Sequence, residues 1–363
     1  MFVVLSFATE IQWHEGHSMA RALRRLGHEV RVVNVAAHPL QDHCETSAGF
    51  PADVHIDQVF GDSRPEAFFY IEPRGLLPRG LERAPCRTVC FLCDSILGLA
   101  PRQAIAQLFD EVVLYHLNAV DGFPNHGAGH VHVSPFAVDS ELFTDRGHTR
   151  DLDVVYVGSL DDVWAPRRRL VDRLKSEFTM NDVERRLSTA EVSALYARAK
   201  IIVNVCINGT INPRIFDAMG AGALLLNGAT PAALAEMFTE GEHYVAFRDE
   251  EDAAAKVRYY LANEAERARI AKAGNAAVHA KHTYDIRMKE LMDWLAATPP
   301  KLGERVASRL DERRRAAVYE GHYRQAGHVE ALFRRSGEFP AWSVGRIRTF
   351  VRAVMTAFRH SGR

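Results

Sequence analysis

No apolar run in this sequence approaches the roughly 18 residues that a bilayer-spanning helix requires, which excludes a helical membrane span. The first ten residues, MFVVLSFATE, lack a basic stretch and a small-residue cleavage site, so they read as a core strand and not as a secretory signal. Cysteine is scarce and odd in number: the five residues Cys44, Cys86, Cys90, Cys93 and Cys206 cannot all pair, which favours reduced thiols and a cytoplasmic setting. No repeat of solenoid length occurs. Charge of one sign is missing overall, with a net of −1, but the balance is uneven. From Lys301 onward there are 14 basic and 6 acidic residues, whereas the preceding 300 carry 31 and 40. The main body therefore has no basic footprint for nucleic acid, and the tail is compositionally a separate piece.

What is present is an ordered alternation. With 363 residues, 47% hydrophobic and 25% charged, the chain is long enough for about two globular domains. Apolar runs at 2–7, 29–35, 67–71, 88–93, 111–115 and 130–135 read as buried parallel strands separated by helices, the first helix starting at Ser18 and ending at Gly27. The pattern restarts at 153–157 and continues through 201–205, 223–226 and 244–247, then helices to Trp294. This is an α/β chain with two doubly wound sheets: 1–145, 146–298 and a basic helical tail 299–363.

The segment IIVNVCINGTINPRIFDAMGAGALLLN, 201–227, carries the most information. It reads as strand, polar loop, short helix and strand, with Asn212 at the helix cap, Pro213 at the first helical position, and Gly220 and Gly222 ending the helix. Arg214 and Asp217 lie near the positive end of that helix. Three loops follow strands on the same sheet edge: Gly158–Ser159, 206–214 and 228–230. Small residues there let backbone N–H groups approach a phosphate, and Arg167 at a nearby helix start can neutralise one. A nucleotide diphosphate suits this set; a surface ion pair between Arg214 and Asp217 on an ordinary crossover helix is the plainer alternative.

The segments FFYIEP, TVCFLCD, FDEVVLY, VSPFAVDSELF, DVVYVGS, INPRIFDAMGAGALLL and HTYDIR, taken in order, resemble the GT-B glycosyltransferases, specifically the branch around the spore-maturation protein CgeB. The resemblance covers about residues 65–290. It implies two Rossmann-like lobes, a nucleotide-sugar donor held by the C-terminal one and an acceptor held by the N-terminal one, with the site in the cleft. It implies a glycosyltransferase needing no metal or other cofactor, the nucleotide-diphosphate sugar being a substrate. Asn212, Pro213 and Arg214 match the motif; Asp217 stands where the family usually has the Glu that bonds the donor ribose. Gly158, Ser159, Arg167 and Thr230 complete the expected donor site. Position 209 is Gly where many retaining members carry a second Glu, so the stereochemical course stays open. A nucleotide-sugar epimerase and a non-catalytic nucleotide-binding scaffold remain as alternatives.

For the base that takes the acceptor proton, Asp94 follows the strand 88–93, and His14 lies in the first loop with Glu15 and His17; His116 is a weaker candidate. Cys86-x3-Cys90-x2-Cys93 has iron–sulfur spacing, but a strand would send its thiols to opposite faces. Asp151-x-Asp153 precedes a strand and reads as a strand-entry turn, not a metal site. In the tail, 346–360 places Ile347, Phe350, Val351, Val354, Met355 and Phe358 on one helical stripe flanked by arginines. Such a helix either packs on the N-terminal domain or a partner, or lies on a membrane surface.

Overall fold

The structure, a computed structural model, describes residues 1–7, 15–35, 49–93, 99–116, 120, 122–123, 131–160, 165–185, 187–206, 210–228, 231–298 and 310–335. They form two compact units, Met1–Ser134 with Leu291–Arg363, and Pro135–Glu290.

The first unit is built on a six-stranded parallel sheet of order β2-β1-β3-β4-β5-β6. Its strands are β1 (Phe2–Phe7), β2 (Glu29–Asn34), β3 (Ala67–Ile71), β4 (Arg87–Leu92), β5 (Glu111–Leu114) and β6 (Val131–Val133). β3, β4 and β5 are buried at every residue; their apolar runs are those of strands covered on both faces, and the charged residues that open β4 and β5 pair with each other, Arg87 Nε donating to Glu111 Oε1 at 2.9 Å. Helix α1 (Glu15–Arg25) follows β1 and buries Met19, Ala20, Ala22 and Leu23. It starts three residues before Ser18, because Glu15 is favourable at the positive end of the helix; Glu15 and His17 thus sit in its first turn and not in a loop. Helices α2 (Ile56–Phe60) and α3 (Leu99–Ala106) lie in the β2–β3 and β4–β5 crossovers. Cys86 and Cys90 are packed in the apolar core of this unit.

The second unit has a four-stranded parallel sheet of order β10-β9-β8-β7, from β7 (Leu152–Val155), β8 (Ala199–Val205), β9 (Leu224–Gly228) and β10 (Val245–Phe247). Around it lie α4 (Ala165–Lys175), α5 (Thr189–Ala197), α6 (Pro213–Gly220), α7 (Ala232–Met237), α8 (Glu250–Ala262) and α9 (Glu264–Lys281). Asp151 pairs with Arg198 at 2.5 Å and Asp153 with Lys200 at 2.7 Å, so both carboxylates tie the entry of β7 to β8. Helix α9 packs closely on α6: Asn275 Nδ2 donates to the carbonyls of Met219 and Gly220 at 3.0 and 2.7 Å, satisfying the last turn of α6.

α10 (Tyr284–Ala297) leads out of this unit; α11 (Glu312–Gln325) and α12 (Val329–Arg334) belong to the first. α11 is held by its side chains to the loop after β3. Tyr319, His322 and Tyr323 bond the carbonyls of Pro78, Gly75 and Leu77 at 2.8, 2.7 and 2.8 Å. The stripe expected at 346–360 lies outside the described residues.

Candidate functional site

The carboxyl edge of the second sheet gathers a polar group from an otherwise apolar interior. Asn204 interrupts the run of β8 and Asn227 that of β9; both are fully buried and stand opposite each other in the ladder. Their amides pair, Asn204 Nδ2 donating to Asn227 Oδ1 at 2.7 Å. Asn204 Oδ1 then accepts from Arg214 Nε at 2.8 Å. A buried amide must satisfy both its donor and its acceptor, and this relay does so by fixing the guanidinium of Arg214. Cys206, just past β8, adds a 3.5 Å contact to Asn227 Oδ1, and burial raises the pKa of its thiol.

Gly158 lies against the other side of that guanidinium. A methyl at Gly158 would stand 2.8 Å from Arg214 Nη1 and 2.9 Å from the Tyr156 hydroxyl, so any larger residue would displace one or both of these side-chain ends. The Tyr156 hydroxyl reaches the Ser159 carbonyl at 3.5 Å, and burial raises its pKa, with Arg214 and Arg167 pulling the other way. Arg167, in the first turn of α4, is 8% exposed. Burial first, and then the like charge of Arg214, lower its pKa to about 10. Two guanidiniums held together at a partly desolvated spot repel each other, and an anion between them removes the conflict.

Arg214 is in the first turn of α6, where the first-turn N–H groups of a helix point outward, and Arg167 of α4 interacts electrostatically with it. Asn212 takes the N-cap position with extended backbone, and Pro213 follows it. Its side chain makes no capping bond, however: Nδ2 lies 4.0 Å from Cys206 Sγ, and Oδ1 is buried without a hydrogen-bond partner among the described residues. The expected side-chain cap is therefore absent, and the acceptor stays available. Asp217, one turn on, acts on the buried hydroxyl of Tyr196, whose pKa is raised by burial first and with Asp217 and Tyr156 adding to it against Arg214.

Of the residues expected from the sequence, Gly158, Ser159, Arg167, Asn212, Arg214 and Asp217 fall in this one region of the second unit. Thr230, Asp94 and His14 lie outside the described residues. His116 follows β5 in the first unit and is buried. Tyr156, Asn204 and Asn227 were not anticipated, although an Asn inside an apolar strand run is a legible signal, because burying an amide demands a partner. The ending HTYDIR is structural in this geometry. Arg287 Nη2 donates to His282 Nδ1 at 2.8 Å, and Thr283 Oγ1 accepts from the Ile286 N–H at the start of α10.

Residues 142–293 match the model of a family described as Glycosyl transferase-like. No curated protein matches the chain. Among solved structures, an alpha-glucosyltransferase (AGT) in complex with UDP aligns with a TM-score of 0.61 at 10% identity, covering 82% of this chain and 100% of that one. Anabaena HepE in complex with UDP and glucose gives 0.59 at 12% identity, with the same coverage. A putative UDP-N-acetylglucosamine 2-epimerase from Listeria monocytogenes gives 0.55 at 10% identity, covering 82% and 96%. Two parallel-sheet α/β units, the second of them carrying the Glycosyl transferase-like match, give this chain the architecture of the GT-B glycosyltransferases.

Proposed function

We propose that this protein is a glycosyltransferase of the CgeB-like kind that takes its sugar from a nucleotide diphosphate. The observation that carries the reading is the electrostatically coupled pair of guanidiniums, Arg167 and Arg214, with Arg214 in the first turn of α6. The donor pyrophosphate lies against them and the glycine of the 158–159 loop, and Asp217 holds the ribose. Transfer forms a bond from an acceptor oxygen to the anomeric carbon and breaks the bond from that carbon to the diphosphate oxygen. The charge that develops on the departing diphosphate meets donors already in place, whose reorientation costs nothing at that moment. The acceptor proton passes to a base, for which Asp94 and His14 are the candidates. The match to the Glycosyl transferase-like family over this unit, and neighbours of the same fold solved with UDP, support the reading. Cytoplasmic location, independence of metal ions and the absence of any other cofactor belong to the same proposal.

UDP is accordingly the first nucleotide to titrate. Calorimetry on the purified chain is expected to show binding that weakens at least about tenfold in Arg214→Ala, the cost of one hydrogen bond to a charged group. Equal affinity in that variant would remove the phosphate anchor. A screen of UDP-sugars then separates the reactions: transfer only with an acceptor present supports a transferase, isomerised donor without acceptor an epimerase, and binding without turnover a scaffold.

A further inference from the structure

The first unit contains a cavity of about 430 Å³ between the carboxyl ends of β3 and β4, the helix α3 and the end of α11. Its size falls within the roughly 300–1,000 Å³ typical of small-molecule sites. The cavity lies at the carboxyl ends of the strands, the edge at which open α/β sheets bind ligands, one strand from the reversal of order between β1 and β3. Glu72, immediately after β3, lines this cavity and has φ +41°, the one positive φ outside glycine among the described residues. Backbone strain of this kind persists where the surroundings over-determine a residue, and it concentrates at ligand sites.

The surroundings here hold a carboxylate. Glu72 Oε2 accepts from the Cys93 N–H at 2.7 Å, Oε1 from Arg102 Nη2 at 2.6 Å, and Arg74 Nε stands 3.5 Å from Oε1. Burial by itself raises the pKa of Glu72, but the two guanidiniums and the Cys93 bond outweigh it and keep the group ionised. A carboxylate has about four acceptor positions, so Glu72 has room for a further donor. Gln325 on α11 also lines the cavity, with Leu92 and Ile105 giving it apolar wall. His322 faces the same space as a neutral ring, since burial lowers its pKa to about 4.

We propose that this cavity is a binding site for an uncharged, hydroxyl-rich molecule of the sugar or polyol class, recognised by Glu72 together with Arg74 and Arg102. A carboxylate only accepts and a guanidinium only donates, whereas a hydroxyl does both. A hydroxyl that donates to Glu72 and accepts from a neighbouring guanidinium satisfies all three groups, and the C–H faces of a sugar suit Leu92 and Ile105. The site lies in the first unit and does not depend on the nucleotide reading of the second.

Saturation-transfer NMR on the full chain, with methyl α-D-glucopyranoside, sucrose and xylitol as probes, tests this. The native protein is expected to transfer saturation to at least one probe. Ala326→Trp, at an exposed position on the cavity rim, is expected to abolish the signal by filling the space. Glu72→Gln, which keeps the shape and removes the charge, is expected to weaken binding about tenfold. Arg214→Ala is expected to leave the signal unchanged, which separates this site from the nucleotide site. Absence of transfer to all three probes, persistence of the signal in Ala326→Trp, an affinity in Glu72→Gln equal to that of the native protein, or loss of the signal in Arg214→Ala would overturn the proposal.

Discussion

A guanidinium that must bind an anion has to be held still, because each freely rotating side chain loses part of its binding energy to ordering. In the proposed donor site Asn204 performs that office for Arg214, and the two roles of an amide can be separated by substitution. Asn204→Leu leaves Arg214 Nε and Asn227 Oδ1 without this partner, at about 1–3 kcal/mol for each buried polar group. Both melting temperature and UDP affinity are expected to fall. Asn204→Asp keeps an acceptor for Arg214 but brings a negative charge beside the phosphate position. There UDP affinity is expected to fall about tenfold or more with a smaller loss of melting temperature than in Asn204→Leu, because Asn227 Oδ1 loses its donor in both but Arg214 keeps its acceptor in this one; equal losses of melting temperature in the two variants would refute a positioning role for the amide. Gly158→Ala is a third local test, since the added methyl overlaps Arg214 and Tyr156. Overpacking of that kind costs about 1–3 kcal/mol, read as a lower urea midpoint.

Among the elements, α11 and the α9–α10 junction each carry a buried neutral histidine. The pKa of His322 is lowered to about 4 by burial, and that of His282 to about 4 by burial and then by Arg287 and Lys281. A base whose folded pKa lies below its unfolded value of about 6.5 binds fewer protons folded than unfolded between those values. Its stabilisation is therefore complete above pH 6.5 and is lost as the pH falls toward 4. The slope is about 1.4 kcal/mol per pH unit for each histidine, an upper figure for groups that relax on protonation. Urea midpoints measured at pH 7.5, 6.0 and 5.0 are expected to fall stepwise, and His322→Gln is expected to flatten the fall for the first unit. An unchanged slope in that variant would mean that His322 is solvated. The helices themselves were largely legible: 213–220 was announced by Pro213 and Gly222, whose φ is +72°. The side chain of Asn212 was not, because whether a cap residue turns toward its helix depends on what else packs against it.

For the whole molecule, the chain enters the second unit near Pro135 and leaves it near Glu290, so the first unit is closed only by residues that come last in the sequence. α11 seals the loop after β3 with three side-chain bonds to backbone carbonyls and buries Tyr319 and Tyr323. Each such ring contributes about 1.5–3 kcal/mol by burial. Deleting 310–363 is expected to lower the calorimetric transition of the first unit while UDP titration of the second stays unchanged; coincident loss of both would show that the units do not unfold separately. The sequence by itself marked where the ten parallel strands of the described residues fall along the chain, since short, mainly apolar runs alternating with helices admit little else. It also singled out Gly158, Arg167 and Arg214, which lie together in the second unit. Only the tertiary structure decided that Asn204 and Asn227 meet across two strands, that Arg167 lies beside Arg214, and that α11 completes the first sheet's unit. Those are contacts between residues far apart in the chain, set by strand order and helix packing, and local pattern carries no record of them.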